Sequence, residues 1–273
     1  MFKTLFENLK KQNPLIHNIT NYVTVNDCAN ILLAAGASPI MTDAKEECGD
    51  ITAISKGLNL NIGTLNERTI CSMLISGKKA NQLNIPTVFD PVGAGASKFR
   101  TDTAAHLINQ IRFSVIKGNI SEIKTLALGF GKTNGVDASE VDMITDANID
   151  QTILLAKQFA KATNSVIVIT GKTDIVASEQ KAFVIKNGNQ KMSAVTGCGC
   201  MLSALCAAFC AANPNDIPTA SAAAVSAMGI AGEIAAQKLK DDEGNSTYRN
   251  YIIDAIFNLT PVELEKRANY EVR

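Results

Sequence analysis

Apolar residues along the chain fall into two periods, and the places where one gives way to the other mark the elements. Val25–Ala35 carries apolar side chains at helical spacing, and Ser38–Met41 follows as a short strand. Residues 58–62 are strand-like, and a helix is predicted near 65–83. Continuous apolar runs then occupy 85–89, closing at Asp90-Pro91, and 113–116. The strongest run is 165–169, closed by Thr170-Gly171. Strands that are apolar throughout, with helices between them, predict a parallel sheet covered on both faces. Between 174 and 188 the pattern changes to two short strands ending at Lys186-Asn187-Gly188, which predicts an antiparallel edge. After Gly199 the chain reads as helical nearly to its end. With no repeat or linker, the prediction is α/β: one three-layer α/β/α domain over residues 1–273.

Composition narrows the partners. Of 273 residues, 46% are apolar and 19% charged, a globular profile. Lysine plus arginine equals aspartate plus glutamate at 26 each, so no global field favours nucleic acid or an anionic membrane. The seven cysteines are odd in number and lack paired spacing, which fits a reducing cytoplasm. Residues 1–11 mix charges with apolar positions and do not read as a signal peptide. The longest apolar stretches are 201–212, stopped by Asn213-Pro214, and 220–236, interrupted by Glu233. Neither reaches the about 18 to 20 apolar residues of a membrane span, and both are predicted as buried helices.

Candidate chemistry gathers in four places. Gly197-Cys198-Gly199-Cys200 runs straight into an apolar helix, where two glycines and the positive helix end suit a phosphate. A plain glycine-rich helix start has the same appearance. Zinc at Cys198-x-Cys200 is disfavoured, since the chain has only two histidines, His17 and His106, and no second close cysteine pair. Gly131-Lys132-Thr133 and Gly171-Lys172-Thr173 end like a phosphate-binding P-loop, but Leu126 and Val166 stand where its first glycine belongs. Gly95-Ala96-Ser97-Lys98 has its lysine in the wrong order. Asp90 ends a buried strand, where an open α/β sheet lines its ligand crevice. Asn119 and Glu122 share one face of a starting helix. Carboxylates so placed could hold Mg²⁺ through water, and Glu122 could equally be a helix-start acid complementing the dipole. His17 reads as a structural histidine rather than a catalytic base.

Together these segments resemble the ribokinase-like kinases, and among them the hydroxyethylthiazole kinases, over nearly the whole chain. The resemblance rests on the segments His17-Asn18-Ile19-Thr20-Asn21-Tyr22-Val23, Ala34-Ala35-Gly36-Ala37-Ser38-Pro39-Ile40-Met41 and Asp90-Pro91-Val92-Gly93-Ala94-Gly95. It continues through Gly118-Asn119 to Glu122 and then Val195-Thr196-Gly197-Cys198-Gly199-Cys200-Met201, in that order. It implies a ribokinase-like fold and ATP-dependent phosphorylation of 4-methyl-5-(2-hydroxyethyl)thiazole, a salvage step of thiamine synthesis. It also implies an anion hole from Gly197 to Cys200 and Mg²⁺ governed by Asp90 and Glu122. Lys117, Asn119 and Thr170 would lie along ATP, and Asn21, Val23, Met41 and Gly197 would line the thiazole pocket. Similar enzymes are trimers with sites between subunits. Cys200 stands where the wider superfamily places an aspartate base, and it is expected to assist proton removal without being essential. Lys117 stands where these enzymes commonly carry arginine, which costs the bidentate fork. The rival readings are a kinase of hydroxymethylpyrimidine or pyridoxal, a nucleotide-dependent lyase or dehydratase, and a non-catalytic nucleotide-binding protein.

Overall fold

The computed structural model describes residues 1–130 and 148–273, Phe130 by its backbone alone. The Gly131-Lys132-Thr133 triplet lies outside the described residues. In chain order the elements begin α1 (Phe2–Gln12), β1 (Leu15–Ile19), α2 (Val25–Ala35), β2 (Ser38–Met41), α3 (Cys48–Ile54) and β3 (Gly57–Asn61). They continue with α4 (Glu67–Gln82), β4 (Thr87–Asp90), α5 (Lys98–Gln110), β5 (Val115–Asn119) and α6 (Ile120–Phe130). Beyond residue 147 come α7 (Ile149–Thr163), β6 (Val166–Thr170), β7 (Asp174–Ala177) and β8 (Ala182–Ile185). Then follow α8 (Cys198–Ala212), α9 (Ile217–Lys238), α10 (Asn245–Asn258), α11 (Pro261–Arg267) and β9 (Tyr270–Val272).

The strands form one sheet in the order β2-β1-β3-β4-β5-β6-β7-β8-β9. Pairing is parallel from β2 to β6 and antiparallel from β6 to β9. The fold is the expected α/β/α with a mostly parallel sheet. Its antiparallel margin has a strand the sequence reading did not include: β9 covers β8 in the last residues, beyond the stretch read as helical. A three-residue strand carries too little alternation to be seen without its partner.

The sheet explains why its strands look apolar throughout. Val88, Val115, Val166 and Val168 pack into the core on the α8 side, while Phe89, Ile116, Ile167 and Ile169 pack into the opposite one. Each such side chain contributes roughly 1.5–3 kcal/mol on burial. On the α8 side, β3 breaks the rule. Leu58 and Leu60 face the opposite core, so the intervening Asn59 and Asn61 lie under α8 and are buried.

Helix α8 crosses β1, β3, β4 and β5 with α2 and α9 beside it. Its alanines and cysteines allow that approach. A Cβ on Gly57 would stand 3.1 Å from both the Ala207 carbonyl oxygen and the Ala211 Cβ. Helix α9 corrects one expectation, because it is long and apolar enough to span a membrane by length and composition. Of that stretch 83% is buried inside the molecule.

Candidate active site

The site forms where parallel strands end beneath the start of α8. Gly197 caps α8 at φ +96°, a left-handed conformation that favours glycine. A Cβ there would also meet the Thr24 methyl carbon at 2.7 Å, and one on Gly199 would meet Lys117 Nζ at 2.9 Å. Gly197 is therefore required by the turn and by close approach, and Gly199 by close approach alone. The first-turn amides of such a helix have no carbonyl partner within it, and with the helix dipole they suit an anion.

Below this turn lies a buried ion pair. Lys117 Nζ donates to Asp90 Oδ2 and to the Gly199 carbonyl, both at 3.1 Å. Ser203 Oγ donates to the same carboxylate oxygen at 2.5 Å, which leaves Asp90 Oδ1 buried without a partner. Burial pulls the Lys117 pKa down, but Asp90, reinforced by Cys200 and Glu122, outweighs it and holds the ammonium above its ordinary value. Glu122 accepts from the Gly93 N–H through one oxygen and from the Asn119 N–H through the other, both at 2.8 Å. Asn119 Oδ1 in turn accepts from the Glu122 N–H. This reciprocal bonding starts α6 as a capping box. Burial raises the Glu122 pKa even against the two amides. Thr170 stands beside Asn119 at the ends of β6 and β5. Asp174, just beyond, is pushed up to about 7 by burial, against the Gly171 N–H and Lys117.

Cys200 Sγ receives the side-chain amides of Asn21 at 3.2 Å and Asn61 at 3.4 Å. Asn21 also donates to Asn61 Oδ1 at 3.0 Å, and its own carbonyl oxygen takes the Thr24 N–H and hydroxyl. Cys198 is pushed up to about 12 by burial, then by Asp27 and Cys200, so it stays a neutral thiol. Among the described residues no group of three or more His, Cys, Asp or Glu is placed to hold a metal ion. The unpartnered Asp90 oxygen nonetheless suits the water shell of a hard cation such as Mg²⁺.

The model of the hydroxyethylthiazole kinase family matches residues 6–262. A hydroxyethylthiazole kinase of Clostridium acetobutylicum is 58% identical over 271 residues, 99% of both chains. One of Clostridium beijerinckii is 52% identical, covering 96% of this chain and 94% of its own. The chain belongs to the hydroxyethylthiazole kinase family. The solved hydroxyethylthiazole kinase of Pyrococcus horikoshii superposes with a TM-score of 0.88 at 30% identity, covering 100% of this chain and 98% of its own. A pyridoxal kinase of Staphylococcus aureus, at 14% identity and a TM-score of 0.61 over 95% of this chain and 98% of its own, shares the fold alone.

In this family member the structure brings Gly197, Cys198, Gly199, Cys200, Asp90, Lys117 and Asn21 together. Glu122, Asn119 and Thr170 line the adjoining strand ends. Two expected roles look different in three dimensions. Lys117 is only 4% exposed and faces Asp90 beneath α8 rather than an open groove, and the hydrogen bonds of Asn21 are occupied within the protein. Met41 is partly buried at the end of β2, and Val23 is 60% exposed. His17 is fully buried between the Thr52 hydroxyl and the Thr42 carbonyl, a structural position that matches its reading. Sequence reasoning missed Asn61, Ser203 and Arg100. Arg100 donates to the carbonyls of Ile62 and Val92, each at 2.8 Å, and of Gly63 at 2.9 Å, tying the ends of β3 and β4 together. Polar residues at alternate positions of an otherwise apolar strand were the available signal for Asn61.

Proposed function

We propose that this chain transfers the γ-phosphate of ATP to the hydroxyl of 4-methyl-5-(2-hydroxyethyl)thiazole. The observation that carries the reading is the convergence of the α8 start, the Asp90–Lys117 pair and Cys200 on one spot in a chain of this family. Phosphoryl transfer has a loose transition state, so orientation and charge stabilisation dominate. The amides from Gly197 to Cys200 receive the charge on the transferred group, and Lys117 holds the turn from below through the Gly199 carbonyl. Asn119 and Thr170 lie along ATP, and Met41, Val23 and Gly197 border the thiazole. Cys200 accepts the hydroxyl proton. Asp90 and Glu122 are the residues that would hold Mg²⁺, whose charge offsets that of the phosphates.

The assembly in this reading is a homotrimer with sites between subunits. The exposed Tyr22 and Val23 beside buried Asn21 support a pocket completed by a neighbouring copy. Seven free cysteines support a cytoplasmic setting.

The test is ATP-dependent phosphorylation by the purified chain, with and without Mg²⁺, offering the thiazole, hydroxymethylpyrimidine and pyridoxal in parallel. Light scattering on the same sample reads the mass of the assembly. Thiazole phosphate formed preferentially and only with the metal, by a particle of three chains, is the expected result. Preference for another alcohol would overturn the substrate assignment. ADP formation without a phosphorylated alcohol would point to a lyase or dehydratase.

A further inference from the structure

The amides around Cys200 have their orientation fixed from behind. Asn21 Oδ1 accepts two hydrogens from Thr24, at 3.1 Å from its backbone and 2.9 Å from its hydroxyl. Asn61 Oδ1 accepts from Asn21 Nδ2 at 3.0 Å and from the Gly63 N–H at 2.9 Å. Turning either amide over would set N–H against N–H, so both NH₂ groups must face the sulfur. Gly63 makes room for this arrangement, because a Cβ there would stand 2.9 Å from Asn21 Cβ. The strands place both side chains independently of the thiol: Asn61 pairs in register with Asp90, and Asn21 follows β1.

A sulfur that receives two N–H donors can take them only on its lone pairs. A thiol hydrogen is thereby excluded from that side and is confined to the side away from the two amides. We infer that Asn61, together with Asn21, is a positioning residue of the kinase reaction, holding the Cys200 sulfur as a two-fold acceptor so that the position left for its proton faces the substrate hydroxyl. This rests on the kinase reading above. The other charged and titratable groups around the thiol are Lys117 on β5, Asp90 on β4, Cys28 and Asp27 on α2, and Cys198 on α8 itself. None is altered by changing Asn61.

The deciding variant is Asn61→Asp in the full chain. It keeps an oxygen for Asn21 and Gly63 but replaces the donor facing sulfur with an acceptor. Asn61→Leu, which removes the whole group, serves as the second variant. Two readouts are taken: iodoacetamide alkylation of Cys200 against pH, resolved from Cys198 by mass spectrometry, and kcat and KM for ATP and the thiazole. Exchanging the donor for a carboxylate oxygen beside the sulfur should slow Cys200 alkylation about tenfold at a given pH. Turnover should fall at least about tenfold with KM for ATP within about twofold. If Asn61→Asp alkylates and turns over like the parent while Asn61→Leu alone loses activity, Asn61 is only a brace and the inference is overturned. If the parent phosphorylates no thiazole, the kinase reading fails, and the alkylation profile still shows separately whether Asn61 controls the sulfur.

Discussion

At the scale of single residues, the site depends on where hydrogen bonds are already taken. Cys200 is 9% exposed and held by two amides, so it is placed for one partner only. Cys200→Ala should lower turnover by about tenfold to a hundredfold and leave residual activity, because a loose transition state asks little of the base. Nucleotide titration should show ATP affinity unchanged. Complete loss of turnover with intact ATP binding would make the thiol essential instead. Most of these residues were legible in the sequence through their order along the chain, since glycines before an apolar helix or an aspartate at a strand end each have ordinary structural uses when taken singly. The partner of Lys117 was not legible. Whether a lysine reaches outward to a phosphate or inward to Asp90 depends on the 3.1 Å approach of the Gly199 carbonyl, which is a matter of packing. Glu122 was read as either a metal residue or a helix-start acid. Its capping box shows the second role, and its charge beside Asp90 keeps the first available.

Elements set what those residues feel. The turn from β6 into β7 holds the half-buried Asp174 against the Gly171 N–H, and desolvation pushes its carboxyl up to about 7. The folded chain therefore holds this proton more tightly than the unfolded chain. Its stabilising share is full below the ordinary carboxylate range and is lost as pH rises through about 7. Asp174→Asn keeps the acceptor for Gly171 and removes the titration. Thermal melts should show the variant gaining on the parent at pH 8 and losing that advantage near pH 5. A difference independent of pH would show that Asp174 carries its charge in the folded state. The element pattern itself was readable wherever both faces of a strand were apolar. The three residues of β9 were not, because their structure comes from pairing with β8 rather than from any period of their own.

For the whole molecule, the arrangement of the sheet is the decisive fact. The groups that meet at the thiol come from β3, β4, β5, α8 and the loop after β1, and parallel neighbours join only through long crossovers. That α8 starts at the site was readable from its glycines, but that its body crosses β1, β3, β4 and β5 was not, since an apolar helix rich in alanine fits many places. After dilution from denaturant, helical signal in circular dichroism should return before catalysis, with activity recovering in the slowest resolved phase. Activity returning together with the first helical signal would show that α8 docks early. The same buried helix gives the chain a built-in checkpoint. A molecule in which α8 has not yet settled onto the sheet has neither its anion-binding turn nor its thiol in place, so incompletely folded copies do not spend ATP.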